Sequence, residues 1–157
     1  MTSTAIASAG TGLYFDDFEV GRSWITPKRT ITDAEVTAFA GISGDFNPLH
    51  IDEEYAKGTQ FGGRIFHGPG VFAIATGLES TLGIKSETAI AFLGMTWNMV
   101  APVKIGDTIY VEETVTELRP SKSKADRGIV SFDVKVRNQR GEVCQEGQWN
   151  VMFKREQ

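Results

Sequence analysis

The chain has 157 residues, 41% hydrophobic and 23% charged, with a formal net charge of −4. That size and make-up suits one globular domain with a sizeable core and leaves no room for a second. The acidic balance argues against a phosphate-backbone binder, so nucleic acid is not an expected partner. The single cysteine, Cys144, excludes an internal disulfide framework and any multi-cysteine metal site, and fits a reducing cytoplasm.

Residues 1–12, MTSTAIASAGTG, have neither a basic n-region nor a long apolar h-region. They are expected to form a flexible small-residue tail rather than a secretion signal, ahead of one domain over residues 13–157. The apolar stretches are too short to span a bilayer, so no membrane partner is expected. Thr32-Asp-Ala-Glu35 matches a capping box, and Val36, Phe39 and Ala40 follow at helical spacing. This predicts a helix that stops near Gly41 or Gly44. One or two further helical turns are expected over residues 52–56. A more apolar helix is predicted from Pro69 to Leu82, with proline at its start, Gly83 at its end and few charges, hence buried on most sides.

Beyond Gly83 the period changes to two. Val130, Phe132, Val134 and Val136 alternate with polar residues, as in an antiparallel strand with one wet face. Residues 89–100, 108–118 and 143–154 predict three less regular strands, with turn chemistry at residues 104–107 and 138–141. Both halves are satisfied by an α+β architecture in which the dry face of an antiparallel sheet packs on the helix that starts at Pro69.

Residues 43–50, SGDFNPLH, place an acid, an amide and an imidazole within six positions. Gly44 and Pro48 predict a rigid, non-helical connection that carries Asp45, Asn47 and His50. A carboxylate beside an imidazole can share proton transfer, and the amide can hold a water in line. An Asx-turn at Asp45, a turn-stabilising Asn47 and a structural His50 are the alternative. The other histidine, His67, opens His67-Gly-Pro-Gly70 directly before the apolar helix, whose N-terminal N–H groups suit a carbonyl gaining negative charge. Gly68 would let a ligand approach its backbone closely.

SGDFNPLH, the following Ala56 and the later FGGRIFHG resemble the MaoC-like hydratases, the R-specific enoyl-CoA hydratase family. A weaker likeness extends over about residues 14–153, including RPSKSKADRG and the final strands. The resemblance implies a hot-dog fold, a sheet wrapped around a long central helix, and a homodimer. It implies hydration of a trans-2-enoyl-CoA to an R-3-hydroxyacyl-CoA, with the acyl-CoA thioester as substrate and no cofactor or metal besides. The family's catalytic Asp and His fall on Asp45 and His50, its motif Asn on Asn47, and its oxyanion N–H on Gly68. His67, Gly70 and Thr76 are the expected substrate contacts, Thr76 standing where relatives often carry serine. Pro69 stands where they commonly have a non-proline residue, and removes one N–H from the turn.

Lys122 and Lys124, with Arg119 and Arg127, are candidates for the CoA phosphates, against the alternative of a solvated hairpin loop. His50, Asp52 and His67 make an incomplete metal set. Trp97, Trp149 and Phe92 are expected to pack the sheet, and Cys144 to be inert. A hot-dog thioesterase is the rival activity, but it would place its acid on the central helix, where only the late Glu79 is available. A non-catalytic acyl-CoA binding module would have no need of Asp45, Asn47 and His50 together.

Overall fold

Alternation on four long strands builds the sheet. In β5 (Arg127–Arg137) Val130, Phe132, Val134 and Val136 are fully buried, and in β4 (Thr108–Pro120) the same phase buries Ile109, Val111, Glu113 and Val115. β6 (Val143–Lys154) turns Trp149, Val151 and Phe153 inward, and β3 (Ala89–Met99) pairs along it. Two short strands precede them, β1 (Ser23–Ile25) and β2 (Arg29–Thr30), both laid on β4. All pairings are antiparallel, in the order β1-β4-β5-β6-β3 with β2 off β4. This is a computed structural model that describes residues 12–156, so residues 1–11 of the expected tail lie outside the described residues.

The helices are α1 (Asp33–Ser43), α2 (Pro48–Ile51), α3 (Glu53–Lys57) and α4 (Gly68–Ser80). At the start of α1 the Glu35 carboxylate accepts the Thr32 N–H at 2.8 Å and also takes the Thr32 hydroxyl. Gly44 ends the helix in the left-handed region at φ 75°, where a glycine is least strained. α4 runs through the core: Val71, Ala75 and Leu78 join Trp24, Phe132, Trp149 and Phe153 in one buried cluster. Each of the larger of these side chains contributes roughly 1.5–3 kcal/mol by leaving water, which is what holds the sheet against the helix.

The structure differs from the sequence expectation at several boundaries and in two strands. α4 begins one residue earlier, at Gly68. β5 begins at Arg127, not Val130, because the β4–β5 hairpin pairs as far as Pro120↔Gly128. β1 and β2 were not foreseen, being three and two residues long and held by pairing to β4 rather than by any pattern of their own.

β3 forms one edge of the sheet, pairing with β6 and presenting its other side to solvent. Ile90, Phe92, Leu93, Met95 and Met99 are all exposed along it. Among the described residues no helix is long and apolar enough to cross a membrane.

Candidate active site

The turn Gly44–Asn47 and the single helical turn α2 carry the acid and the imidazole. Asp45 Oδ1 accepts the Asn47 N–H at 3.1 Å, and Asn47 Oδ1 in turn accepts the Leu49 N–H at 3.0 Å, capping α2. His50 therefore sits on a helical turn rather than in the non-helical connection expected, with Pro48 at the first helical position, where its missing N–H costs nothing. Both features of the structural alternative, the Asx-turn and the stabilising amide, are thus present. They leave Asp45 Oδ2 and Asn47 Nδ2 free for other partners.

His50 Nδ1 lies 2.8 Å from the Ile65 carbonyl, which can only accept, so that nitrogen carries the proton. When unprotonated, Nε2 presents a lone pair 3.8 Å from Asp45 Oδ2. Two acceptors at that spacing can both bond one water with ordinary 2.8 Å hydrogen bonds. The Asp45 side chain is 51% exposed and that of His50 12%, so the pair opens to solvent on the carboxylate side.

His67 is 1% exposed, stacked on His50 with ring centroids 3.8 Å apart and tilted on Phe39 at 5.0 Å. Its Nε2 donates to the Asp45 carbonyl at 2.8 Å. The ring is enclosed and props the Asp45 loop. Asp52, the third member of the metal set considered from sequence, caps α3 by accepting the Tyr55 N–H at 3.0 Å. Ligand atoms of Asp45, His50 and His67 do lie within 4.8 Å of one another. The two imidazoles are stacked with their planes 27° apart, and each ring already spends a nitrogen on a carbonyl.

His67 leads directly into Gly68, the first residue of α4, beside a cavity of about 260 Å³. Ile65, Phe66, Gly68, Val71, Met99 and Gln145 are among its walls. A Cβ on Gly68 would lie 2.2 Å from Met99 Sδ, and one on Gly70 2.4 Å from the Phe66 ring. Gly70 is buried under Phe66, which a side chain at this position would meet.

Thr76 lies two turns further along α4, its hydroxyl donating to the Ala73 carbonyl at 2.7 Å. It lines a separate cavity with Glu79, Lys85, Phe92 and Trp149, not the one at Gly68. Glu79 is buried against Lys85 Nζ at 2.5 Å, so the only carboxylate of α4 is spent on an ion pair. Lys122 and Lys124 are exposed on the β4–β5 loop. That loop follows the far end of β4, while the residues just before β4 bridge to the site through Ile65↔Lys104. Twelve strand steps of about 3.3 Å separate the two ends by on the order of 40 Å, so within one chain neither lysine reaches the Asp45 loop. Trp97, Trp149 and Phe92 pack together with Phe72, as expected of sheet aromatics. Cys144 is buried and burial pushes its thiol up to about 11, which leaves it inert.

The sequence reading missed Ile65 and Gln145. Ile65 acts through its backbone carbonyl, which no residue type announces. Gln145 had a signal: counted back in twos from Phe153, Val151 and Trp149, it falls on the dry face of β6.

A sheet curled around a buried helix, with a carboxylate–imidazole pair at that helix's N-terminus, defines a hot-dog protein equipped for acid–base chemistry. Residues 17–138 match the family model described as MaoC like domain, and the chain belongs to that family. It is 40% identical over 114 residues to a 3-hydroxybutyryl-CoA dehydratase of Methylorubrum extorquens, covering 72% of this chain and 70% of that protein. To an (R)-specific enoyl-CoA hydratase of Aeromonas caviae it is 35% identical over 130 residues, covering 83% and 91%. A MaoC-like dehydratase structure from Rhodospirillum rubrum superimposes with a TM-score of 0.83 at 35% identity, over 93% of this chain and 99% of that one.

Proposed function

We propose that the protein hydrates trans-2-enoyl-CoA thioesters to R-3-hydroxyacyl-CoA, and reversibly dehydrates them. The observation that carries this reading is the Asp45 Oδ2–His50 Nε2 pair, 3.8 Å apart, with the imidazole tautomer set by the Ile65 carbonyl. Relatives named as hydratase and dehydratase support the same chemistry.

In this reading a water sits between Asp45 and His50, with the free Asn47 Nδ2 beside it. The pair takes one proton from that water as its oxygen bonds the β-carbon, and returns one to the α-carbon on the same face. The two groups act as one coupled acid–base unit. The enolate-like thioester oxygen is stabilised by the Gly68 N–H, one of the unpaired donors at the positive end of α4. CoA belongs to the substrate and no separate cofactor is needed. The placement of Glu79 in an ion pair speaks against thioester hydrolysis from α4. The working unit in this account is a homodimer joined along β3, in a reducing cytoplasm that suits the lone Cys144.

The test is to incubate the protein with crotonyl-CoA and follow loss of the conjugated thioester absorbance, with free thiol measured in parallel. The absorbance should fall without release of thiol, and Asp45→Asn should slow it by about 10²–10⁴-fold. Release of CoA, or an Asp45→Asn and His50→Gln pair that are both folded and fully active, would refute the mechanism.

A further inference from the structure

The oxyanion turn is built from residues that cannot hold themselves. Gly68 and Gly70 have no side chains, Pro69 has no N–H, and the first N–H groups of a helix lack intrahelical partners. One side chain, among the described residues, is bonded to this turn. Gln145 on β6 is 2% exposed, and its Nε2 donates to the Gly68 carbonyl at 2.9 Å. Its Oε1 accepts from Trp97 Nε1 on β3, also at 2.9 Å. An indole N–H can only donate and a carbonyl can only accept, so the two partners fix which way the amide faces.

We infer that Gln145, oriented by Trp97, is a positioning residue that fixes the Gly68–Pro69 peptide and, across the Gly68 Cα, restrains the aim of the oxyanion N–H on the preceding peptide. The inference rests on the hydratase reading for its catalytic consequence, but not for the restraint itself. The Gln145 amide ties α4 to β6 and, through the indole, to the edge strand, while Met99 Sδ closes over Gly68 from the same strand. A donor misplaced by about 1 Å can cost on the order of 10²-fold in rate. Gln145 touches neither the reacting carbons nor the water in this scheme, so its effect falls on kcat.

The experiment uses Gln145→Leu, Gln145→Glu and Trp97→Phe in the full chain, each checked for native circular dichroism. Gln145→Leu should lower kcat for crotonyl-CoA by about 10–100-fold with KM changed less than about twofold, and Trp97→Phe by less. Gln145→Glu supplies the distinguishing signature. Protonated, the new carboxyl donates to the Gly68 carbonyl and accepts from Trp97; ionised, it has no donor and faces a carbonyl oxygen. Its kcat relative to the native protein should therefore fall as pH rises from 5 to 9, while the ratio for Gln145→Leu stays flat. A Gln145→Leu kcat within twofold of native, a loss confined to KM, or a flat ratio for Gln145→Glu would overturn the inference. If the native protein leaves crotonyl-CoA unchanged, the hydratase reading fails and the backbone order parameter of Gly68 decides. A drop from about 0.85 toward 0.6 in Gln145→Leu upholds the restraint, and an unchanged value overturns it.

Discussion

In the proposed mechanism Asn47 serves fold and chemistry with different atoms. Its Oδ1 caps α2 through the Leu49 N–H, and its Nδ2 is the donor assigned to the water. Asn47→Asp keeps a good cap but removes the donor, whereas Asn47→Ala removes both. Asn47→Asp should melt as the native protein does yet hydrate crotonyl-CoA more slowly, while Asn47→Ala should lose about 1 kcal/mol as well, read by urea denaturation. Equal activity in native protein and Asn47→Asp would make the amide purely structural. Asp45, Asn47 and His50 were legible as a group because they fall within six positions, glycine and proline bracket the first two, and the motif is specific. The buried state of His67 was not, since a histidine looks the same in sequence whether it meets substrate or props a loop. Its 1% exposure follows from stacking on His50 and Phe39, which are 17 and 28 residues away.

At the scale of elements, the end of α4 meets β4 through the buried Glu79 and Glu113 and the half-buried Lys85. Lys85 Nζ stands 2.5 Å from Glu79 and 3.0 Å from Glu113, with the rings of Phe132 and Trp149 about it. Burial pushes the Glu113 carboxyl up to about 7, with the Lys85 ammonium pulling the other way. Glu113 thus holds its proton to higher pH in the folded chain than in the unfolded one, where it titrates near 4.5. Between about pH 4.5 and 7 the folded state binds more protons, so this group's contribution to stability falls as pH rises through that window. Urea midpoints at pH 5 and pH 8 should therefore differ more for the native protein than for Glu113→Gln, and an equal difference would contradict the assignment. Glu35 works in the opposite sense. The hydroxyl and N–H of Thr32 hold it down to about 2, so its contribution is present above pH 4.5 and lost as pH falls toward 2. Lys85→Met would leave two carboxylates unpaired in the core and should cost about 3–5 kcal/mol. Glu113 was readable in principle from Ile109, Val111 and Val115, whose phase puts it inside. Lys85 was not, because a lysine after a helix carries no sign of the side it enters.

For the whole molecule, the architecture followed from two periods: an apolar helix with few charges, and strands that alternate. That much needed only residue types, whereas β1 and β2 owe their existence to the neighbouring β4. The β3 edge has a consequence for assembly. Its eleven residues, AIAFLGMTWNM, include no charge and no proline, the devices that normally protect a free edge. Phe92, Leu93 and Met95 are exposed along it, and in the proposed homodimer a second copy paired edge to edge covers them. Sedimentation should find a dimer at micromolar concentration, and Phe92→Glu with Met95→Lys should give a monomer. A native monomer would exclude that mode of assembly.

The most direct measurement is to hydrate crotonyl-CoA in D₂O and assign both new stereocentres of the product. The R-specific hydratase reading predicts an R alcohol at C3, and one Asp45–His50 unit serving a single face of the double bond predicts hydroxyl and deuterium added to the same face. An S alcohol, or addition to opposite faces, would contradict it.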